Sequence, residues 1–395
     1  MGDSFAVFLF LLILLAVFTR ETFVMVLLYL FVGVNVLGRW WSATVVSKAT
    51  FSRLYDHKVF PGEQVPVRLE IRNGSWLPAV WMRVQDFFPI ELAEVSTFSQ
   101  VVSLGPRNEA RLHYNLKAHK RGYYTVGPLM LSSGDLLGIT GERSSEGPSD
   151  HLTVYPRVIP LTSMKLPSRS PMGTMRHSQP IFEDPTRPMG KRDYQAGDSL
   201  RRIDWKATAT TGRMQTKLFE PSIALETALF LNLSLADYQI RTRFDATELS
   251  IVVAASVANW VIAQRQSAGL YAHAHDPLSA DSRPVPIHPR KGRAHLMRML
   301  EIMARIRTAE IEPFPTLISQ QRVRLAWGTT MIVVTGAPDQ ALFDELLQAR
   351  RAGLNPVLIS CGEFPNSRQS AQHSKTLRIP FYNIRDERDL DMWRK

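Results

Sequence analysis

The densest group of chemically active side chains lies between residues 187 and 217, which contain eight basic and three acidic residues. The central motif consists of Arg192, Tyr194, Gly197, Asp198, Arg201, Arg202, Asp204, Trp205 and Lys206. Gly197 and Asp198 are typical of a turn, and arginine guanidinium groups bind carboxylates through paired hydrogen bonds. We therefore predict that Asp198 and Asp204 pair with arginines of the motif.

Four roles are open for this motif. A buried network of arginines and carboxylates would hold the chain in one path, and this structural role is the one we expect first. An exposed basic surface would instead bind an acidic partner protein. Nucleic-acid binding is the third role, because the chain carries a net charge of +11. Against it, the aromatic residues do not alternate with the basic ones as a stacking surface requires. Catalysis is the fourth role.

Composition and motif searches argue against several classes of protein. Hydrophobic residues make up 45% of the 395 residues and charged residues 21%, which excludes a mainly disordered or fibrous chain. The single cysteine, Cys361, excludes an internal disulfide and cysteine-rich zinc modules. Phosphate-binding glycine loops, the serine hydrolase elbow and the zinc-protease helix motif are absent from the sequence. We predict a protein that is not an enzyme and has no cofactor and no metal.

The elements that position the motif begin with two apolar runs, residues 5–18 and 22–38, of 14 and 17 residues. With a turn at residues 19–22 they predict a transmembrane helical hairpin over residues 1–41. A signal peptide is the main alternative, but it needs a basic N-terminal region, and this chain has Asp3 there. A buried soluble hairpin is the other, although neither run has a polar face.

Flanking charge predicts how the hairpin is oriented. Basic residues follow the second run at Arg39, Lys48, Arg53 and Lys58. The positive-inside rule then places the rest of the chain in the cytoplasm, and Trp40 and Trp41 stand where an interfacial anchor belongs. We expect a two-helix protein of the cell membrane, held through residues 5–38, with most of the chain cytoplasmic.

Residues 42–160 show the alternation of apolar and polar residues that is typical of short strands. The predicted strands are residues 65–71, 80–84, 110–116, 122–126, 129–131 and 152–155. No helical period persists in this stretch, so we predict an all-β sandwich of the immunoglobulin type. Residues 161–186, rich in Pro, Ser, Thr and Met, are predicted to be a linker.

Residues 187–395 combine the motif with alternating strands and helices. Strands are predicted at residues 227–233, 270–274, 331–335 and 356–360, and helices at 245–269, 293–307 and 339–351. Asp245 and Glu248 have the spacing of a capping box. The alternation predicts an α/β domain with a mostly parallel sheet and helices on both faces. The apolar run 251–263 is too short and too broken to span a membrane.

On these residues the chain resembles the domain of unknown function 58 family, a group of bacterial and archaeal membrane proteins. The central motif is the hallmark of that family, and two N-terminal membrane helices are usual in it. Further matching segments are Gly62-Glu63, Asn73 with Leu77-Pro78-Ala79, Arg121-Gly122, Val126-Gly127-Pro128, Asp135-Leu136-Leu137-Gly138 and Val154-Tyr155-Pro156. Thr210 departs from the pattern, where the family often has Arg. The resemblance implies a partnership with an AAA+ ATPase of the MoxR type, because members are commonly encoded beside one.

The order of strands and helices resembles the von Willebrand factor A fold, to which the C-terminal half of this family is related. That fold usually holds a divalent cation with Asp-x-Ser-x-Ser after its first strand. Here the corresponding positions are Asn232, Ser234 and Ala236, with Asp237 displaced by one position. We therefore expect a degenerate site without metal. His273, His275 and Asp276 are an alternative zinc group, and Cys361 is expected in the core.

Together these patterns predict a membrane-anchored, cytoplasm-facing adaptor with a chaperone-like or assembly role beside an AAA+ ATPase. Two alternatives stay open. One is an enzyme of unknown type centred on Asp198, Asp204 and the neighbouring arginines. The other is a metal-dependent surface or adhesion module of the von Willebrand factor A type, which would need the opposite membrane topology.

Overall fold

The computed structural model of the chain describes residues 2–19, 21–134, 142–164, 183–196, 198–221, 226–308, 310 and 312–394. The chain forms two compact units, Met1–Arg157 with Met303–Arg305, and Val158–Ile302 with Ile306–Lys395. The first contains the N-terminal helices and a β-rich region, and the second contains an α/β sheet with helices. This coarse architecture agrees with the prediction from sequence. Residue 20 of the predicted turn, Gly197 of the motif and the segment 135–138 lie outside the described residues.

The apolar N-terminal runs form α1 (Gly2–Thr19) and α2 (Thr22–Lys48). The rings of Phe8 and Phe31 meet edge to face, with centroids 5.3 Å apart. α2 continues ten residues beyond the apolar run and is about 40 Å long at 1.5 Å per residue. Its most apolar 18-residue window is not buried at all, and its length and composition suffice to cross a membrane. The predicted boundary at residue 41 therefore lies inside α2.

The β-rich region contains strands that mostly match the predicted ones. In chain order these are β1 (Ala49–Leu54), β2 (Lys58–Val59), β3 (Gln64–Asn73), β4 (Ala79–Phe87), β5 (Thr97–Leu104), β6 (Glu109–Lys117), β7 (Gly122–Val126), β8 (Leu129–Ser133), β9 (Arg143–Glu146) and β10 (Asp150–Val154). They form sheets with the orders β1-β3-β6, β2-β10-β7 and β5-β4-β8-β9.

Alternation along each strand produces the core of this region. In β3 every second residue is buried, so that Val65, Val67, Leu69 and Ile71 face inward. These side chains join one apolar cluster with residues of β4, β6, β7, β8 and β10, and Val45 of α2 belongs to the same cluster. The last two turns of α2 are thus part of the β-rich region.

The α/β unit begins with a hairpin and continues into a sheet. Its elements are β11 (Glu183–Asp193), α3 (Trp205–Thr211), β12 (Gln215–Pro221), β13 (Glu226–Asn232), α4 (Arg243–Ala263), β14 (Ser267–His273), β15 (Ile287–Arg290), α5 (Arg293–Arg305), α6 (Phe314–Arg322), β16 (Thr330–Thr335), α7 (Gln340–Arg351), β17 (Asn355–Cys361), α8 (Ser367–Thr376) and β18 (Phe381–Ile384). Within the described residues, β13 to β18 form one sheet of order β15-β14-β13-β16-β17-β18, parallel except for β15.

Helices cover both faces of this sheet. Phe314 and Ile318 of α6 and Leu346 of α7 cluster with Phe230 and Val333 of the central strands. α4 packs against β13, β14, β16 and β17. α4 passes the same length and composition test for a membrane span as α2, but 78% of its apolar window is buried in this unit. The prediction that this run does not span a membrane agrees with its place in the core.

Two predictions of detail are wrong. α4 begins at Arg243 after Thr242, so Asp245 is in the first turn and caps nothing, because the helix starts two residues before the predicted capping box. The predicted linker 161–186 lies mostly outside the described residues, but its last four residues, 183–186, belong to β11. Pairing with β12 explains this strand, since nothing in its own apolar pattern predicts one.

Candidate functional site

The motif lies on the β11–β12 hairpin and the short helix between its strands. The Tyr194 backbone N–H donates to the carbonyl of Met214, and the Asp204 N–H donates to that of Gln215, both at 2.8 Å. The Asp204 side chain accepts from the Ala207 N–H at 3.2 Å and so caps α3. Gly212 ends α3 with a φ of +67°, which only glycine adopts easily. Backbone bonds at both ends therefore hold the motif in one conformation.

Two ion pairs engage the carboxylates of the motif. Arg192 Nη2 lies 2.7 Å from Asp198 Oδ1, and Lys191 Nζ lies 2.9 Å from Asp204 Oδ2. The Gln195 N–H donates to the second oxygen of Asp198 at 3.0 Å. This backbone bond, followed by the Arg192 bond, lowers the pKa of Asp198. The Lys191 hydrogen bond and then the Ala207 N–H lower the pKa of Asp204.

The predicted pair between Arg192 and Asp198 is therefore present, but Asp204 binds Lys191 in place of an arginine. The predicted burial of this network is wrong, because the Arg192 side chain keeps 36% of its surface exposed and that of Lys191 keeps 52%. A two-stranded hairpin has too little mass around it to remove these charges from water. The ion pairs fix the shape of a surface hairpin and do not form a core.

Four motif residues and the neighbouring Leu200 face solvent and form what we call the motif surface: Leu200, Arg201, Arg202, Trp205 and Lys206. Leu200 is 64% exposed and Trp205 is 69% exposed. Between them, Ile203 is 5% exposed and bridges to Thr216 of β12, which anchors the turn. Tyr194 is half-buried. The structure thus separates side chains that hold the hairpin from large apolar and basic side chains that project from it.

A second polar cluster lies where β13 and β16 end. These strands are neighbours in the sheet, but the chain leaves them in opposite directions along it, and this is where open α/β sheets have a crevice for ligands. Asn232 Nδ2 donates to Thr335 Oγ1 at 2.9 Å and to Asp237 Oδ2 at 2.6 Å. Asn232 Oδ1 accepts from the Ser234 N–H at 3.0 Å. The side-chain amide of Asn232 thus connects the Asp237 and Thr335 oxygens, at the position where a metal-binding site would have a carboxylate.

Among the predicted degenerate positions, Asn232 and Ser234 are buried, and Ala236 is exposed in the following turn. Asp237, although displaced in sequence, does reach the cluster. Burial raises the pKa of Asp237, the negative charge of Asp339 raises it further, and the hydrogen bond from Asn232 opposes both effects. Among the residues that the structure describes, no three or more His, Cys, Asp and Glu side chains group as metal ligands do.

The alternative zinc residues have structural contacts. The His273 ring is 3.3 Å from Asn232 Oδ1 and packs on Phe314, and burial lowers its pKa. The His275 backbone pairs with Arg307. Asp276 accepts from the Leu278 N–H at 3.1 Å, as a turn-forming aspartate does. Cys361 is buried as predicted, and burial raises the pKa of its thiol to about 12.

A buried charge network that sequence reasoning missed lies in the β-rich unit. The Arg53 side chain is 1% exposed and binds both oxygens of Asp86, and its Nη1 lies 2.6 Å from Asp150 Oδ2. The Tyr114 hydroxyl donates to Asp86 Oδ2 at 2.6 Å. Burial, and then the charge of Asp86, raises the pKa of Tyr114. The sequence feature that could have predicted this network is Asp86, a charged residue on the same face of β4 as the buried Met82.

Comparisons with known proteins agree with the motif. Residues 190–324 match the family model described as "Protein of unknown function DUF58". The Bacillus subtilis (strain 168) protein described as "Uncharacterized protein YeaD" is 24% identical over 248 residues, which is 62% of this chain and 58% of the relative. This chain therefore aligns with little more than half of that relative's length.

Two solved structures that are similar to this chain each cover about a quarter of it. The CARDB domain of the PF1109 protein from Pyrococcus furiosus is 16% identical and matches 27% of this chain and 91% of its own, with a TM-score of 0.21. A cohesin module from Clostridium perfringens is 15% identical and matches 27% and 96%, with a TM-score of 0.22. Scores this low support no argument about fold or function.

Proposed function

We propose that this chain, whose residues 190–324 match the DUF58 family of proteins of unknown function, is a membrane-anchored adaptor whose motif surface binds a protein partner. The exposure of the motif surface carries the proposal. Trp205 and Leu200 place apolar area in water on a hairpin whose shape is fixed. Tryptophan and arginine are the residues that most often dominate protein interfaces.

Charge defines the kind of partner. Arg201, Arg202 and Lys206 are exposed beside Trp205, and Arg213 and Lys217 add two more basic residues before residue 218. An acidic protein surface would complement this group, steer the encounter and fix its register. The resemblance to the family makes an AAA+ ATPase of the MoxR type the partner to test first, in a chaperone-like or assembly role. In this arrangement the ATPase hydrolyses nucleotide and the present chain is not an enzyme.

The anchor is proposed to be a transmembrane hairpin of α1 and α2. The length of α2 and its exposed apolar surface support this. The basic residues after it support a cytoplasmic location for the remaining chain, by the positive-inside rule. We infer an immunoglobulin-like sandwich for the β-rich region and a von Willebrand factor A-like fold for the α/β unit. The strand order β15-β14-β13-β16-β17-β18, with an antiparallel edge strand β15, supports the latter.

Two other functions have less support from the geometry. An enzyme would use Asp198 and Asp204 as its catalytic carboxylates. Both are already paired with basic side chains and have lowered pKa values, which makes them poor proton donors at neutral pH. An adhesion module with a metal site would need oxygen ligands where the Asn232 amide now donates. A reporter fused after the last residue and active only outside the cytoplasm would support the adhesion reading.

The adaptor is tested by pull-down of the full-length chain from mildly solubilised membranes, with mass spectrometry of the proteins that co-elute. We expect an AAA+ ATPase with the wild type and its loss with the double variant Arg201→Glu/Arg202→Glu. Arg385→Glu/Arg388→Glu is the matched control, because both side chains are exposed in the same unit, far along the chain. Equal recovery with both double variants would show that the motif surface does not bind the partner. Absence of an ATPase from every sample would contradict the proposal that an AAA+ ATPase is the partner.

A further inference from the structure

The loop between β3 and β4 places a second tryptophan beside the end of the membrane helix. Trp76 is 60% exposed and Trp40 of α2 is 50% exposed, and their ring centroids are 6.2 Å apart. Two large aromatic side chains exposed side by side form an apolar patch of the kind that marks contact sites with a partner or a membrane. The pair therefore indicates a contact with something outside the unit.

This loop is held against α2 by hydrogen bonds. The Trp41 indole N–H donates to the Pro78 carbonyl at 2.9 Å, and the Gly74 N–H donates to the Lys48 carbonyl at 3.1 Å. A Cβ on Gly74 would lie 2.5 Å from the Lys48 oxygen, so only glycine permits this approach. Asn73 is fully buried and its amide donates to the Leu77 carbonyl at 2.8 Å. These contacts fix the position of Trp76 along the axis of α2.

This position along α2 coincides with the expected edge of the bilayer. From Thr22 to Trp40 the helix rises about 27 Å, close to the roughly 30 Å of a hydrocarbon core. Beyond Trp40 the helix enters the protein, because Ser42, Val45 and Val46 are buried by the β-rich region. The boundary between lipid and protein along α2 therefore falls at Trp40, and Trp76 lies at the same level. Tryptophan is enriched at this level in membrane proteins.

The charges around the pair suit the same place. A groove of about 780 Å³ is lined by Trp40, Trp76, Lys48 and Arg143, together with small residues of α2 and β9. Lys48, Arg143 and the nearby Arg39 are exposed. Basic side chains next to a membrane surface are attracted to anionic lipid headgroups.

We propose that the Trp76 loop is a second membrane contact, in which Trp40 and Trp76 lie together in one headgroup layer and the groove between them takes lipid phosphate. The β-rich unit is then fixed against the bilayer surface, because α2 runs into β1 without a linker. This inference rests on the proposed membrane anchor, and the experiment separates the two.

The test is a depth measurement by spin label on the full-length chain in nanodiscs of phosphatidylcholine and phosphatidylglycerol. The single native thiol, Cys361, is 2% exposed and has a pKa of about 12, so an introduced cysteine is labelled selectively. Labels are placed at Trp76→Cys and, as references, at Leu30→Cys in the lipid-facing part of α2 and Val95→Cys. Val95 is 65% exposed and follows β4, at the opposite end of that strand from Trp76.

Accessibility to oxygen and to a water-soluble nickel complex then gives the depth of each label. We expect Leu30 to be deep, Val95 to be in water and Trp76 to be in the headgroup layer. A Trp76 label as exposed to nickel as the Val95 label, with Leu30 deep, would overturn the second contact and leave the anchor intact. A Leu30 label in water would overturn the anchor and the contact together.

A second labelling site leaves the tryptophan pair in place. Ser47→Cys lies on the exposed lining of the groove. Its label is expected in the headgroup layer in the otherwise native chain and nearer to water when Trp76→Ser is added. An aqueous reading for Ser47 in the native background would contradict the proposal.

Discussion

Arg53 and Asp86 form a two-point ion pair inside the β-rich unit, with Nε 3.0 Å from Oδ2 and Nη2 2.7 Å from Oδ1. The side chains are 1% and 0% exposed. Arg53 belongs to β1, which begins directly after α2, and Asp86 belongs to β4 in another sheet. The pair therefore connects the strand that continues the apolar helix to the opposite side of the unit.

Replacing Arg53 with Met should destabilise the β-rich unit by about 3–5 kcal/mol, because a buried Asp86 would lose its cation. Arg83→Met is the matched control, since Arg83 pairs with Glu142 at 3.1 Å with both side chains about half exposed. Breaking that pair should change the free energy of unfolding by less than about 1 kcal/mol. Guanidinium denaturation of the purified chain measures both, and similar effects of the two variants would contradict the buried network.

Trp205→Ala should separate binding from folding. Trp205 is 69% exposed, so its loss should change the free energy of unfolding by less than about 0.5 kcal/mol. Binding of the partner recovered by pull-down should weaken roughly tenfold or more. Trp393→Ala is the contrast, because Trp393 is 4% exposed and its loss should cost about 3–5 kcal/mol of stability. A Trp205→Ala variant with a lowered Tm and normal binding would show that Trp205 stabilises the fold and does not contribute to the interface.

Asn232→Asp should make the crevice dependent on divalent cations. The new carboxylate would face Asp237 and Thr335, where the Asn232 amide now donates, and like charges at this distance should destabilise the unit by roughly 1–3 kcal/mol. Mg²⁺ or Mn²⁺ should restore the Tm, because these ions bind carboxylate and hydroxyl oxygens. Asn232→Ala is the control that should lose stability without rescue. An unchanged Tm of Asn232→Asp on adding the ions would refute the expectation.

Asp237 should make the α/β unit less stable as pH rises. Burial raises the pKa of its carboxyl in the folded chain, so the folded state binds the proton more tightly than the unfolded state. The free energy of unfolding therefore falls as pH increases through and above the ordinary value of about 3.9. Asp237→Asn removes this slope and keeps an acceptor for Asn232. The stability difference in favour of the variant should grow between pH 4 and pH 7 in thermal melts, and a constant difference would argue against a raised pKa.

Much of the local structure could be predicted because it depends on local patterns. The strand at residues 122–126 was predicted with the bounds that the structure has, and α7 follows Asp339, whose side chain caps it. Apolar alternation and cap residues act within a few positions of the chain, which explains both results. The capping box at Asp245 failed because α4 begins two residues earlier, at Arg243, which leaves Asp245 inside its first turn.

Sites made by distant residues could not be predicted in the same way. Arg53 was read from sequence as a flanking charge, yet its carboxylate partners are 33 and 97 residues away. Asn232 and Thr335, 103 residues apart, meet only because β13 and β16 are adjacent in the sheet. Trp40 and Trp76 meet because the loop between β3 and β4 returns to the end of α2.

By itself, the sequence determined the apolar helices, the change from a β-rich to an α/β pattern and the family motif, because hydrophobic period and motif spacing are properties of consecutive residues. Only the tertiary structure decided which charges are buried and which are exposed. Arg192 and Arg53 look alike in sequence, but the first pairs on a thin surface hairpin and the second is enclosed between sheets. Burial depends on how much protein the rest of the chain places around a side chain, and no local pattern encodes that quantity.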